Sequence, residues 1–115
     1  MYTYIRTDLP IEQQIIQASH SALEAGRELK KPDKVSHLIL LEAKSEADLL
    51  TIANELSERD IKFSLFYEPD YNRGYTSLTT EPLITNTERS YFQKHRMYRY
   101  RPSTAFSIKD EFENI

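Results

Sequence analysis

Hydrophobic and polar positions follow two periodicities that divide the chain into alternating strands and helices. Alternating or unbroken apolar segments predict four strands, at 2–7, 35–43, 61–68 and 75–81. Apolar positions three and four residues apart predict helices at 11–29, 45–59 and, more briefly, about 87–95. The order β-α-β-α-β-β-α is typical of a sheet with helices on its faces. We therefore predict an α/β fold, a three-layer α/β/α arrangement around a mixed four-stranded sheet.

The first predicted helix carries one apolar stripe and one polar stripe. The apolar stripe, which we predict to face the core, consists of Ile11, Ile15, Ala18, Ala22 and Leu29. At 100° per residue, Gln13, Gln17 and His20 lie together on the opposite face. One interpretation is a solvated helix face. The other is a strip of neutral hydrogen-bonding groups, with one titratable imidazole, beside a cleft.

Two further segments give specific structural expectations. The nearly continuous apolar run at 35–43 predicts a central strand covered on both faces. Ser45 is expected to cap the following helix, with Asp48 at the capping-box position. That helix should bury the stripe formed by Leu49, Ile52, Ala53 and Leu56.

Composition limits the kinds of protein that this chain can be. A length of 115 residues predicts one domain, which we assign to residues 1–96, followed by a C-terminal tail at 97–115 that is loose or docked on another surface. The chain has no cysteine, which excludes thiol chemistry and fits a cytoplasmic setting. We expect no metal, no cofactor and no membrane segment, because three histidines without cysteine argue against structural zinc and no apolar run reaches about 20 residues.

The net charge of -3 is unevenly distributed along the chain. Residues 1–84 carry a charge of -5, whereas residues 85–101 carry +4. The basic segment "KHRMYRYR" places Arg96, Arg99 and Arg101 among tyrosines. Arginine and tyrosine can contact phosphates and stack on bases, which would suit a nucleic acid. The alternative is that the tyrosines pack on the domain while the arginines stay solvated.

The segment "EPDYNRGYT" groups polar side chains at the connection between the third and fourth predicted strands. Glu68, Asp70, Arg73 and Thr76 all fall within this connection or at its borders. Strand ends in α/β sheets are common places for ligand sites. The alternative interpretation is an ordinary hydrophilic hairpin loop.

Taken together, these segments resemble the type-II peptidyl-tRNA hydrolases. The resemblance runs from about Tyr4 to about Leu83. Gln17-Ala18-Ser19-His20-Ser21-Ala22 is similar to the family's Gln-Cys-Ser-His-Ala-Ala stretch, and "FSLFYE" followed by "YTSL" resembles its third and fourth strands. The divergent branch of peptidyl-tRNA hydrolase domain-containing proteins is matched at least as well, through the Glu-Pro loop and the Thr before the last strand.

The resemblance implies hydrolysis of the ester between a peptide and the 3′ end of tRNA, with the tRNA acceptor end as partner. The positions of the family's catalytic lysine, aspartate and threonine are held here by Gln13, Glu68 and Thr76, and His20 could serve with Glu68 as general acid or base. We assign substrate-binding roles to Gln17 and Arg73 and, within the basic segment, to Arg96, Arg99 and Arg101. A homodimer is compatible with the sequence, which does not specify an oligomeric state.

This chain departs from the family where the chemistry is expected. Gln13 occupies the position of the family's lysine, and Glu68 the position of its aspartate. A cation could stabilise the oxyanion formed when water attacks an ester, whereas a neutral amide can only donate a hydrogen bond. An alternative function therefore stays open, namely a catalytically impaired module that binds tRNA, a nucleotide or a protein on the same fold.

Overall fold

The computed structural model describes residues 1–29, 37–83 and 85–99. The predicted loop at 30–34 and the start of the predicted strand at 35–43 lie outside the described residues. So do Arg101 and the rest of the predicted tail from residue 100 onward. None of the helices in the described part is long and apolar enough to cross a lipid bilayer.

The elements follow the predicted order β-α-β-α-β-β-α. The strands are β1 Tyr2–Arg6, β2 Ile39–Ala43, β3 Phe63–Glu68 and β4 Gly74–Thr80. The helices are α1 Ile11–Glu28, α2 Glu46–Glu58 and α3 Asn86–Ser90, with short 3₁₀ segments at Asp70–Asn72 and Tyr91–Lys94. The first two helices agree with the prediction to within one residue at each end. The last one is shorter than predicted, because it continues as the 3₁₀ segment.

The four strands form one mixed sheet in the order β2-β1-β4-β3. β1 pairs with β2 in parallel, and β4 runs antiparallel to both β1 and β3. β1, β2 and β3 therefore run in the same direction, and their carboxyl ends meet at one end of the sheet. The α/β fold with a mixed four-stranded sheet is confirmed.

The prediction that 35–43 forms a central strand is wrong. β2 is an edge strand of the four-stranded sheet, and β1 and β4 are central. The outer side of β2 is partly paired, because Glu42 N donates to Arg96 O (3.0 Å) and Tyr98 N donates to Leu40 O (2.8 Å). An unbroken apolar run indicates that both faces of a strand are covered. It does not indicate whether the strand pairs with another strand on one side or on both sides.

α2 covers one face of the sheet with a hydrophobic core. Ser45 caps this helix as predicted by accepting a hydrogen bond from Asp48 N (3.2 Å). The predicted stripe is buried. The core consists of Tyr4, Leu41, Ala43, Leu49, Ile52, Ala53, Leu56, Ile61, Leu78, Leu83, Tyr91 and Phe92. No residue of α1 belongs to this cluster.

α1 covers the opposite face through hydrogen bonds, together with the buried apolar side chains of Ile5 and Ala25. Side chains alternate along a strand, so Leu78 points into the α2 core while Ser77 and Thr79 point to α1. Ser77 Oγ donates to Gln17 O (2.6 Å), and the hydroxyls of Ser21 and Thr79 lie 2.9 Å apart. The two long helices thus lie on opposite sides of the sheet, as the three-layer arrangement requires.

The prediction of which α1 face meets the core is therefore wrong. The buried residues of α1 are Gln17, Ser21 and Ala25, whereas Ile15 is 64 % exposed and Ile11 is 39 % exposed. Helical periodicity locates the two stripes but does not say which of them meets the sheet. That choice depends on the sheet, which presents hydroxyl groups on this face.

Gly74, at the start of β4, has a backbone conformation that favours glycine. Its φ angle is 72°, in the left-handed region. A Cβ at this position would collide with the carboxylate of Glu46 at the start of α2. That carboxylate accepts a hydrogen bond from Tyr75 N (2.7 Å), so moving it aside would break a bond between α2 and β4.

We expect Gly74→Ala to lower the free energy of unfolding by about 1–2 kcal/mol, because an L residue in the left-handed region is strained by about that amount. Gly26→Ala is the matched control, since Gly26 lies in α1 with no atom near the position of a Cβ. It should raise the free energy by about 0.5–1 kcal/mol. Urea denaturation of both variants measures the difference, and equal effects would contradict the role of Gly74.

Candidate functional site

A β-bulge directs Thr76 toward α1. The pairing of β3 with β4 shifts between Phe66, which is opposite Ser77, and Tyr67, which is opposite Tyr75. Thr76 is therefore the additional residue in β4. Bulges often redirect a side chain, and here the Thr76 hydroxyl donates to Gln17 Oε1 (2.9 Å) instead of pointing into the α2 core with Leu78.

The carboxamide of Gln17 connects α1 to the two strands β3 and β4. Its oxygen accepts from Thr76, and its Nε2 donates to Glu68 Oε2 (3.0 Å) and, more weakly, to Gln13 Oε1 (3.3 Å). Gln17 and Thr76 are both completely buried. A buried amide must satisfy its polar atoms within the protein, and Gln17 does so through residues of α1, β3 and β4.

Glu68 remains a carboxylate at neutral pH. The hydrogen bond from Gln17 lowers the pKa of Glu68 below its ordinary value, and the bond from Asp70 N (3.1 Å) lowers it further. The electrostatic influence of Arg73 and of the nearby His20 ring acts in the same direction, while partial desolvation opposes it. An ionised carboxylate can accept a proton from water but cannot donate one, which makes Glu68 a candidate general base.

His20 is the accessible member of this group. Its ring is exposed and stacks on Phe66 of β3, with the ring centroids 4.5 Å apart and the planes within 3°. Phe66 is paired with Ser77, which faces α1, so His20 lies on the same side of the sheet as the redirected Thr76. The stacking holds the imidazole at the carboxyl end of β3, near Glu68.

The loop between β3 and β4 is held by Arg6 at the end of β1. Arg6 Nη1 donates to the carbonyl oxygens of Arg73 (2.5 Å) and Tyr75 (3.0 Å), while its other nitrogens bind the carboxylate of Asp8. The Arg73 guanidinium lies over the ring of Tyr71, 5.4 Å from its centroid. Sequence reasoning missed Arg6, although an Arg two residues before an Asp at a strand end was a visible signal for a charge-assisted pair.

The structure brings most of the predicted site residues together. Gln13, Gln17, Glu68 and Thr76 belong to one hydrogen-bonded group, which we call the Gln17 network, and His20 lies beside it. Thr76, for which the resemblance implies a catalytic role, is completely buried, and its hydroxyl is bonded to Gln17. Whether these residues act on a substrate stays a prediction.

The described part of the predicted basic segment, which ends at Arg99, lies at the other edge of the sheet. Arg96 pairs with the outer side of β2, and Arg99 N donates to Glu42 Oε2 (3.2 Å). β2 and β3 are separated by β1 and β4, so the two edges are about 14 Å apart at a strand spacing of about 4.8 Å. The segment nevertheless reaches the start of α1, because the Tyr98 hydroxyl donates to Gln14 Oε1 (2.7 Å), next to Gln13 in the sequence.

No protein-family model matches this chain, and no curated protein matches it. Among residues 1–29, 37–83 and 85–99, no group of three or more histidine and acidic side chains is arranged to hold a metal ion. Functional inference therefore depends on the Gln17 network, the accessible imidazole and the sequence resemblance.

We expect Gln17→Leu to lower the free energy of unfolding by about 1–3 kcal/mol, because it removes the acceptor of the buried Thr76 hydroxyl. Adding Thr76→Val to Gln17→Leu removes the hydroxyl that has lost its hydrogen-bond acceptor. The double variant should therefore be more stable than the sum of the two single effects by at least about 0.5 kcal/mol. Pairing Gln17→Leu with Thr51→Val on the exposed side of α2 is the control, for which additive effects are expected. Additivity in both pairs would contradict the coupling.

Proposed function

We propose that this protein is a type-II peptidyl-tRNA hydrolase-like enzyme that cleaves the ester between a peptide and the 3′ end of tRNA. The observation that supports the proposal is the Gln17 network. It joins three residues at positions that the resemblance makes catalytic, Gln13, Glu68 and Thr76, and His20, the fourth, stacks beside them. The group lies at the carboxyl end of β3, a location typical of ligand sites in α/β sheets.

In the proposed reaction, Glu68 acts as general base. The ionised carboxylate takes a proton from water, and the resulting hydroxide attacks the carbonyl carbon of the ester. The bond from the carbon to the ribose oxygen then breaks, and protonated His20 gives its proton to that oxygen. The hydrogen bonds that lower the pKa of Glu68 also make it a weaker base.

Gln13 would stabilise the oxyanion of the tetrahedral intermediate. Its Oε1 accepts from Gln17, so the amide nitrogen points away from Gln17 and can donate to a negatively charged oxygen. The carboxamide carries no charge, unlike the family's lysine. Losing one charge or donor of this kind typically lowers a rate by ~10²–10³.

A second candidate function is a module that binds tRNA, a nucleotide or a protein without hydrolysing it. The burial of Thr76 favours this alternative, because its hydroxyl is bonded to Gln17 and is not accessible to a ligand. In that case the network is a structural link between α1 and the hairpin. The two functions differ in whether the site performs chemistry, and kinetics distinguish them.

Gln13→Lys should raise the rate of ester cleavage in the enzyme. An ammonium group near the oxyanion stabilises the transition state more than the ground state, so kcat should rise by about 10-fold for about 1.4 kcal/mol. His20→Ala should remove most of that gain, because it removes the proton donor. The measurement is single-turnover cleavage of peptidyl-tRNA by the wild type, Gln13→Lys and the double variant.

Gln93→Lys is the matched control, since Gln93 is an exposed glutamine on the 3₁₀ segment away from the site. It should leave the rate unchanged. A fast wild-type reaction unaffected by either Gln13→Lys or His20→Ala would place the chemistry on other residues. No cleavage by any variant would support the binding module.

Replacing Arg96, Arg99 and Arg101 by Ala should weaken tRNA binding. Each phosphate contact makes affinity fall with salt concentration, so losing three should flatten the slope of log K against log salt by about 2–3. The control variant replaces Arg27, Arg59 and Lys62 by Ala and so removes the same charge. Arg27 and Arg59 lie at the C-terminal ends of α1 and α2, and Lys62 immediately precedes β3. If both variants change the slope equally, the basic segment has no specific role.

A further inference from the structure

A short extended segment, residues 95–99, lies along the outer side of β2, and we call it the edge segment. Glu42 N donates to Arg96 O (3.0 Å), and Tyr98 N donates to Leu40 O (2.8 Å). These two bonds occupy backbone groups of β2 that an edge strand otherwise presents to solvent. The edge segment therefore behaves as a partial fifth strand beside β2.

The first residue of the edge segment, His95, is bonded to the hydrophobic core. Its Nδ1 lies 2.6 Å from the hydroxyl of Tyr4, a completely buried member of that core. Its ring also meets the rings of Tyr4 and Tyr91 edge to face, with the centroids 5.1 Å apart in each pair. These contacts attach the edge segment to the interior of the domain through one titratable side chain.

The bond between Tyr4 and His95 requires a neutral imidazole. A buried hydroxyl needs an acceptor for its proton, and within the described residues His95 Nδ1 is the acceptor available to Tyr4. Tyr4 keeps that proton, because burial raises the pKa of its hydroxyl well above the ordinary value. Nδ1 can accept only while it is unprotonated, so Nε2 carries the single proton of the ring.

The groups around His95 oppose its protonation on balance. Burial lowers the pKa of His95 below its ordinary value, and the ammonium group of Lys94 lowers it further. The carboxylates of Asp48 and Glu55, on α2, act in the opposite direction. Glu55 also pairs with Lys94 (3.0 Å), so its charge is shared. The other titratable groups near the ring are Tyr4 of β1 and Tyr91 of the 3₁₀ segment, which contact it, and Tyr2, which lines the adjoining cleft.

We propose that the contact between Tyr4 and His95 is a pH-sensitive switch, which holds the edge segment on the sheet while His95 is neutral and releases it when His95 is protonated. Protonation places a hydrogen on Nδ1, so the Tyr4 hydroxyl loses its acceptor and its proton is left unpaired in the core. It also places a partly buried positive charge beside Lys94. Release of the edge segment into water removes both costs.

Release changes two surfaces that the edge segment covers. On β2, the outer backbone groups of Leu40 and Glu42 lose their partners and become exposed. On α1, Gln14 loses its bond to the Tyr98 hydroxyl, one position from Gln13 in the candidate site. The switch thus connects pH to the free edge of the sheet and to the start of α1, and it does not depend on the proposed function.

Amide hydrogen exchange of the full chain, measured as a function of pH, tests the proposal. The amides of Glu42 and Tyr98 report on the edge segment, and the amide of Thr7, which bonds to Ala43 O (2.9 Å), reports on the pairing of β1 with β2. The docked form favours the neutral ring and the released form takes up a proton below about pH 6.5, the ordinary pKa of histidine.

After correction for intrinsic exchange, the protection of Glu42 and Tyr98 should therefore fall as the pH drops below that value, by up to about tenfold for each pH unit. It should level off below the pKa of docked His95. The protection of Thr7 should change much less. Constant protection of Glu42 and Tyr98 would overturn the proposal, and so would an equal fall at Thr7, which would mean that the whole domain unfolds.

His95→Gln assigns the effect to the imidazole. A glutamine amide oxygen can accept from the Tyr4 hydroxyl but does not titrate, so this variant should keep the protection and lose its pH dependence. His37→Gln, at an exposed histidine before β2, is the matched control and should keep the pH dependence of the wild type. The same pH dependence in His95→Gln as in the wild type would place the switch on another group.

Tyr4→Phe tests the hydrogen bond separately. Without the hydroxyl, the neutral ring loses a bond that stabilised it, so the pKa of His95 should move up toward its ordinary value and the fall in protection should become smaller. Tyr67→Phe, at an exposed tyrosine of β3, is the control and should change neither. NMR titration of the imidazole signals measures the pKa of His95, and an identical value in Tyr4→Phe and the wild type would contradict the stated mechanism.

Discussion

The geometry of the candidate site depends on the hydrogen bonds of one fully buried side chain, the carboxamide of Gln17. It accepts from Thr76 and donates to Glu68, so one side chain of α1 is bonded to both strands of the hairpin. An amide has one donor end and one acceptor end, and both must be satisfied where water is excluded. This requirement fixes the rotation of α1, and it is met only because the bulge in β4 directs Thr76 toward the helix.

The two faces of the sheet are held by different forces. α2 is packed through an apolar core, in which many arrangements of similar volume are tolerated, whereas α1 is held by directional hydroxyl and amide hydrogen bonds. Using polar residues on its inner side leaves the apolar residues of α1 outside. The same choice therefore fixes the position of the candidate site residues and leaves Ile15, Ile16 and Leu23 exposed on the outer side of the helix.

The candidate site combines one carboxylate and one accessible imidazole with neutral amides. Glu68 is kept ionised by hydrogen bonds from Gln17 and Asp70 N, and His20 is held by stacking on Phe66. The loop between β3 and β4 is fixed separately, by Arg6 and by the bond from Tyr75 N to Glu46. Glu68 and His20 are thus both held in fixed positions. The neutral group beside them that could donate a hydrogen bond to a developing negative charge is the amide of Gln13.

The sequence by itself determined the element order, the spans of the two long helices, the cap at Ser45 and the grouping of Gln13, Gln17 and His20 on one side of α1. These features depend on local spacing and propensity, which neighbouring residues specify. Only the tertiary structure decided that this polar side faces the sheet, that β2 lies at an edge and that Thr76 is an additional residue in β4. Each of these depends on which strands pair and which faces meet, and helical or strand periodicity is the same for either choice.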